Sequence, residues 1–146
     1  MKEIKVLKAN KEHKEFIIHA NNIINDVNDT EKTNGLRENI DKDYFCDKPK
    51  FNCLVAEIDD KPVGMILYSY FYWANDGEVL WISQMFVEEE YRKYGVFFKL
   101  IEKLREENQE IKIVSCATGD DNKRMQRILK YYGGHEINLK FYYKKV

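Results

Sequence analysis

The stretch Gln84-Met85-Phe86-Val87-Glu88-Glu89-Glu90-Tyr91-Arg92-Lys93-Tyr94-Gly95-Val96-Phe97-Phe98 decides the fold. An apolar strand ends at Val87, an acidic turn follows, then Arg92-Lys93-Tyr94-Gly95, and a helix opens. A strand, a loop with one glycine and a helix N-terminus form a way to hold a phosphate. The first N–H groups of a helix have no partner inside it, and the helix dipole favours an anion there. Arg92 and Lys93 add positive charge beside those donors.

Toward the C-terminus, the helix is expected from about Gly95 to Asn108, with Val96, Phe97, Leu100, Ile101 and Leu104 as its apolar stripe. Ile111 to Ala117 reads as a strand. Asp120 or Asp121 is placed to cap a further helix whose buried face is Met125, Ile128, Leu129 and Tyr132. Gly133-Gly134 stops that helix, and Ile137 to Tyr143 reads as a last strand.

Toward the N-terminus, Val79 to Val87 is the third strand of a meander. Asn75-Asp76-Gly77 makes its turn, a strong hairpin signal. Val63 to Trp73 is the long strand before it, with Tyr68, Tyr70 and Tyr72 on one face and Leu67, Phe71 and Trp73 on the other. Asp59-Asp60-Lys61-Pro62 is a turn, and Cys53 to Ile58 is the meander's first strand. Beyond it lie a short helix over Leu36 to Tyr44 and a longer one over Lys11 to Val27. The longer helix repeats Phe16, Ile17, Ala20, Ile23, Ile24 and Val27 at helical spacing. Glu3 to Leu7 is an opening strand. A hairpin meander feeding a strand-loop-helix-strand unit implies an α/β domain, a mixed sheet with helices on its faces, over residues 1–146.

Composition narrows the function. With 146 residues, 44% hydrophobic and 34% charged, the chain is expected to be globular with a real core. A net charge of −1 argues against a general nucleic-acid binder. No apolar run reaches about 18 residues, so no membrane span is expected, and the N-terminus lacks a signal-peptide core. Cys46, Cys53 and Cys116 are odd in number and lack metal-ligand spacing. No metal site and a reduced, cytoplasmic setting are expected.

The element order and the loop together resemble the Gcn5-related N-acetyltransferase (GNAT) family. The resemblance spans most of the chain and is specific between about Leu54 and Gly134. It implies a central, mostly antiparallel sheet with helices on both faces. The family's loop signature, Gln/Arg-x-x-Gly-x-Gly/Ala, stands here as Arg92-Lys93-Tyr94-Gly95-Val96-Phe97, with Phe97 replacing the last small residue. By resemblance those six residues hold the pyrophosphate of acetyl-CoA. Met85, Phe86 and Val87 offer main-chain groups to the pantetheine arm, and Asn122 touches the same arm. Many family members carry a tyrosine at the position of Leu129, whose hydroxyl protonates the CoA thiolate. Leucine cannot donate, and Tyr132, three residues on along the same helical face, is the candidate acid. Some relatives carry a basic glutamate on the central strand; the corresponding residues here, Ser83 and Gln84, are not bases.

The remaining chemistry-bearing residues read as structural. His13, His19 and His135 have no partner spacing, and Glu57, Asp76 and Glu78 read as solvated carboxylates. Cys116 lacks a histidine partner and reads as a small hydrophobe. The substrate pocket is expected from the first two helices, the tyrosine-rich strand and the last strands. Asp26, Asp29, Glu31, Asp41 and Asp43 would suit a cationic amine there, and Leu54 to Gly95 looks loosely like the polyamine acetyltransferases. Acetyl transfer to a small-molecule primary amine is the function implied. A CoA-binding or protein-interaction module without catalysis is the alternative, favoured by Ser83, Phe97 and Leu129. A homodimer would cover the aromatic segment Phe141-Tyr142-Tyr143.

Overall fold

The structure, a computed structural model, describes residues 2–27, 34–137, 142 and 144. Five strands form one sheet in sequence order: β1 (Lys5–Lys8), β2 (Asn52–Ile58), β3 (Lys61–Trp73), β4 (Gly77–Val87) and β5 (Ile113–Cys116). The first four pair antiparallel, and β5 runs parallel to β4. The β2–β3 turn is tighter than the sequence suggested. Its two residues are Asp59 and Asp60, at φ 52° and 59°, and Lys61 is already paired in β3. Two left-handed residues in succession give the turn whose twist matches that of the flanking strands.

Strand alternation feeds two cores. On one face, Leu54, Ile66, Leu80 and Ile82 pack with Val96, Leu100 and Leu104 of α3 (Val96–Glu107). On the other, Val55, Met65, Leu67 and Phe86 pack with Ile17 and Ala20 of α1 (Lys14–Val27) and Ile40 of α2 (Gly35–Asp43). Within α1, Ile18 is buried although the expected stripe omitted it, and Val27 is exposed. Gly64 lets α3 lie close on the sheet. A Cβ there would sit 2.9 Å from Val96 Cγ1 and 3.1 Å from the Phe86 carbonyl oxygen.

Helix ends follow their capping chemistry. Asn108 closes α3 and donates Nδ2–H to the Leu104 carbonyl at 2.7 Å, while its Oδ1 accepts from the Tyr70 hydroxyl. The helix α4 (Lys123–Tyr131) is capped by Asn122, not by Asp120 or Asp121; its Oδ1 accepts the Met125 N–H at 3.2 Å. At the far end Gly133 is left-handed, and the Gly133 and Gly134 N–H groups bond the Lys130 and Leu129 carbonyls, a Schellman closure. The expected buried face of α4 is only partly covered. Met125, Ile128 and Leu129 are half-buried, and Tyr132 is exposed. Of the expected last strand, residues 138–141 and 143 lie outside the described residues, as do Asp29 and Glu31.

One assignment is corrected outright. His13 does have a partner, and Glu57 is not a solvated carboxylate. His13 ends a 3-10 turn (Lys11–His13), is buried, and meets Glu57 Oε1 through Nε2 at 2.8 Å. Its Nδ1 accepts the Asn10 N–H at 3.0 Å, so Nε2 carries the proton and donates to the carboxylate. Residues so far apart in sequence meet because β1 pairs with β2.

Candidate active site

β4 is irregular where the site lies. Leu67 pairs with Gln84 and Tyr68 with Ile82, so Ser83 is an extra residue, a β-bulge. Its Oγ donates to the Leu67 carbonyl at 3.2 Å. A one-residue insertion inverts the facing of everything after it. Ile82 lies in the core under α3, and regular alternation would send Gln84 to the same side. Instead Gln84 and Phe86 face α1 and α2, and Met85 and Val87 face α3. β5 pairs only with Val79 to Ile82, so no described strand pairs with Ser83 to Val87 on that edge.

The chain then enters a 3-10 turn (Glu89–Tyr94) and reaches Gly95 at φ 81°, directly before α3. No side chain caps α3. Its first intrahelical bond runs from Lys99 N–H to the Gly95 carbonyl at 3.2 Å, so the N–H groups of Val96, Phe97 and Phe98 precede it. A Cβ at Gly95 would meet nothing within 4 Å. Glycine is needed there for the left-handed backbone rather than for packing, and the space above it is open. Arg92 folds back and donates Nε–H to the Val87 carbonyl at 3.0 Å, pinning the loop to the end of β4. Lys93 is exposed, its ammonium 5.4 Å from the centre of the Tyr94 ring. Phe97 packs against the core under α3, which accommodates a ring at the position the signature keeps small.

Met85, Phe86, Val87 and Arg92 to Phe97 therefore converge where β4 ends and α3 begins. Asn122 stands at the head of α4, its Oδ1 engaged as the cap. Tyr132 reaches the same region from the other end of α4: its ring lies 6.2 Å from that of Phe97 and 6.3 Å from that of Phe98. Desolvation chiefly, with Tyr131 adding, raises its pKa, so the phenol keeps its proton at neutral pH. Cys116 ends β5 opposite Ile82, and burial raises its pKa as well, which disfavours the nucleophilic thiolate.

Across the sheet, a cavity of about 380 Å³ lies between α1, α2 and the bulge. Asn21, Asn39, Asp43, Ser83 and Gln84 give it polar walls; Leu36, Ile40, Phe51 and Leu67 give it apolar ones. The sequence expected a pocket from the first two helices, the tyrosine-rich strand and the last strands; this cavity is lined by α1, α2, Phe51, Leu67 of β3 and the β4 bulge, with no tyrosine among its described lining. Of the five acidic residues expected to attract a cation, Asp43 alone is among its described lining, and Lys50 pairs with it at 2.8 Å. Asp41 is bound to Lys14 at 2.6 Å. Gln84, set aside in the sequence as no base, is among the lining residues, and its Oε1 is fully buried without a donor among the described residues. An unsatisfied buried acceptor costs about 1–3 kcal/mol. No local sequence signal marks it, because the bulge that sets its facing is a property of strand pairing. Among the described residues no cluster of histidine, cysteine and carboxylates is placed to hold a metal, and no helix is long and apolar enough to cross a membrane.

Comparison with known proteins defines the class. Residues 20–133 match the model of the acetyltransferase (GNAT) family. The chain belongs to that family. A thialysine N-epsilon-acetyltransferase of Mus musculus is 30% identical over 105 residues, an alignment covering 65% of this chain and 62% of that protein. The chain thus matches less than two thirds of that relative's length. Among solved structures, a possible acetyltransferase from Clostridium difficile 630 superposes with a TM-score of 0.78 at 21% identity, covering 98% of this chain and 97% of its own. An aminoglycoside N-acetyltransferase in complex with CoA superposes at 0.77 and 17% identity, covering 99% and 96%. These two likenesses establish the fold.

Proposed function

We propose that the chain is an acetyl-CoA-dependent N-acetyltransferase that passes an acetyl group to a primary amine of a small molecule by direct attack. The observation that carries this is the uncapped start of α3 behind left-handed Gly95, with open space above the glycine and Lys93 beside it. A pyrophosphate suits those N–H groups. The open edge of β4 from Ser83 to Val87 suits an extended arm that pairs as an added strand. Acetyl-CoA, when bound, supplies an activated thioester at the end of that arm.

The protein's own groups do the rest. Main-chain N–H near Phe86 or Val87 polarises the thioester carbonyl, and the loop fixes its position. The amine nitrogen forms the new C–N bond as the C–S bond breaks. The amine loses a proton to solvent, since neither Ser83 nor Gln84 is a base. The leaving sulfur takes a proton from Tyr132, whose phenol, its pKa raised, is protonated at neutral pH.

Calorimetric titration of CoA and acetyl-CoA into the purified protein tests the reading. Binding on the order of micromolar is expected, lost in Gly95→Asp, with thiol release once an amine is added. Absence of CoA binding in the unaltered protein would overturn it. Binding without turnover on any amine would favour the CoA-binding module, the reading to which Leu129 in place of tyrosine points.

A further inference from the structure

We infer that the far end of the β3–β4 hairpin is the interface of a homodimer: two copies of this chain pair their β3 strands antiparallel along Ser69 to Trp73, about a two-fold axis at Phe71. This surface lies at the opposite end of β4 from the loop at Gly95, and its use does not depend on the acetyltransferase reading.

β2 covers β3 only as far as Tyr68, which pairs with Asn52. β4 covers the other edge of β3 as far as Trp73, which pairs with Gly77. Ser69 to Trp73 therefore has one open edge, and among the described residues no strand pairs with it there. The free N–H and C=O groups of an open edge recruit other strands, so edges are ordinarily blunted with lysine, proline or a bulge. Ser69-Tyr70-Phe71-Tyr72-Trp73 carries no charge and no proline, and it pairs with β4 residue for residue. Its side chains are uncovered too: Tyr70 is 41% exposed, Phe71 40%, Tyr72 78% and Trp73 37%. Two of them are already held in place. The Tyr70 hydroxyl donates to Asn108 Oδ1, and the Phe71 ring lies 5.9 Å from that of Trp73. Groups ordered in advance lose less entropy on association.

Symmetry selects a second copy as the occupant. Tyr70 and Tyr72 share the α3 face of the sheet with Tyr68; Ser69, Phe71 and Trp73 share the other face with Leu67. With the axis at Phe71, that residue meets the partner's Phe71, Tyr70 meets the partner's Tyr72, and Ser69 meets the partner's Trp73. Every pair falls on a matching face, so the contact is self-complementary. Aromatic cross-strand pairs are favourable, and the small Ser69 leaves room for an indole. The register is fixed as well. A longer overlap would drive the partner strand into β2 at Asn52, and a shorter one would forfeit pairs. No like charges oppose each other across the axis, and a net charge of −1 gives little general repulsion. Complete burial of one aromatic side chain removes about 150–250 Å². At the exposures above, the four rings would lose about 400 Å² in each copy, or about 800 Å² in the dimer before the main chain is counted. That is close to the roughly 1,000 Å² at which specific interfaces begin, so the dimer is weak and reversible.

Sedimentation equilibrium of the full chain, at concentrations from about 1 to about 500 µM, tests this. A monomer–dimer equilibrium with a Kd on the order of 10 µM is expected. Phe71→Lys sets two ammonium groups against each other on the axis and should raise that Kd about 100-fold or more, with the circular dichroism of the monomer retained. Tyr131→Lys, at an exposed aromatic on α4, should leave it unchanged. Phe71→Cys with Cys46→Ala reads the register directly. Residues paired on the axis have Cα atoms about 4.5–5.5 Å apart, within disulfide range, so mild oxidation should yield a covalent dimer that Cys46→Ala alone does not form. This second variant decides the matter if Phe71→Lys fails to fold. A monomer at the highest concentration would overturn the inference and leave the edge to an extended segment of another protein. A dimer that Phe71→Lys leaves intact, or that Phe71→Cys does not link, would also overturn it and move the interface to another surface.

Discussion

At the scale of single residues, Arg92 and Lys93 look interchangeable in the sequence and are not. Arg92 bonds the Val87 carbonyl and holds the loop against β4; Lys93 is exposed, its ammonium over the Tyr94 ring. Lys93→Glu should weaken CoA binding about tenfold, more at low salt, and leave thermal stability unchanged, because an exposed charge contributes little to folding. Arg92→Glu should also lower stability by about 1 kcal/mol, since it removes a hydrogen bond that anchors the chain. Calorimetry and urea unfolding on both variants separate the two roles. Equal losses of stability would mean that the Val87 bond holds nothing. Tyr132 makes a second test. Its ring is partly covered by Phe97 and Phe98, and its pKa is raised. Tyr132→Phe keeps those ring contacts and deletes the proton, so kcat should fall about tenfold or more with CoA affinity unchanged. An unaltered kcat would make Tyr132 a packing residue and leave protonation of the sulfur to solvent.

At the scale of elements, the position of α3 is set by one glycine. A methyl at Gly64 would press 2.9 Å from Val96 Cγ1 and 3.2 Å from Leu100 Cδ1, both on α3. Gly64→Ala should therefore destabilise by about 1–3 kcal/mol through overpacking and tilt the helix start that carries the free N–H groups, weakening CoA binding as well. Adding Val96→Ala removes the nearest obstruction, so the double variant should be more stable than the sum of its parts by about 0.5–1 kcal/mol. Strict additivity in urea unfolding would show that Val96 is not what the methyl meets. This packing also explains which elements could be read from the sequence. The β2 to β4 meander and α3 carry their period in their own residues, and Asn75-Asp76-Gly77 marks its turn unaided. The bulge at Ser83, the pairing of His13 with Glu57 and the facing of Gln84 exist only once strands are in register. The strand-loop-helix order around Gly95 was legible because its signals are local; the exact lining of the cavity beside α1 and α2 was not, because separate segments make it.

At the scale of the whole molecule, the weak point of the stability profile lies on the alkaline side. Cys53 is fully buried, and desolvation lifts its thiol from an ordinary 9.0 to about 12. Tyr68, also buried, is lifted from 10.0 to about 12, chiefly by desolvation, and Tyr44 is raised further still, for the same leading reason. The unfolded chain releases these protons near their ordinary values, whereas the folded chain holds them until about pH 12. The folded state thus binds more protons across that window, and stability must fall as pH rises through it. Below pH 9 these three groups make their full contribution. Between about pH 9 and 10 the thiol leads; above 10 the tyrosines join. Each group contributes at most about 1.4 kcal/mol per pH unit, so three together bring alkaline unfolding on steeply. Urea unfolding at pH 8, 9, 10 and 11 reads the curve directly. Cys53→Ala should flatten the first interval while leaving the tyrosine interval in place. A flat profile to pH 11 in the unaltered protein would mean that the native state releases these protons as readily as the unfolded chain, and that the sheet between its two helical layers admits water.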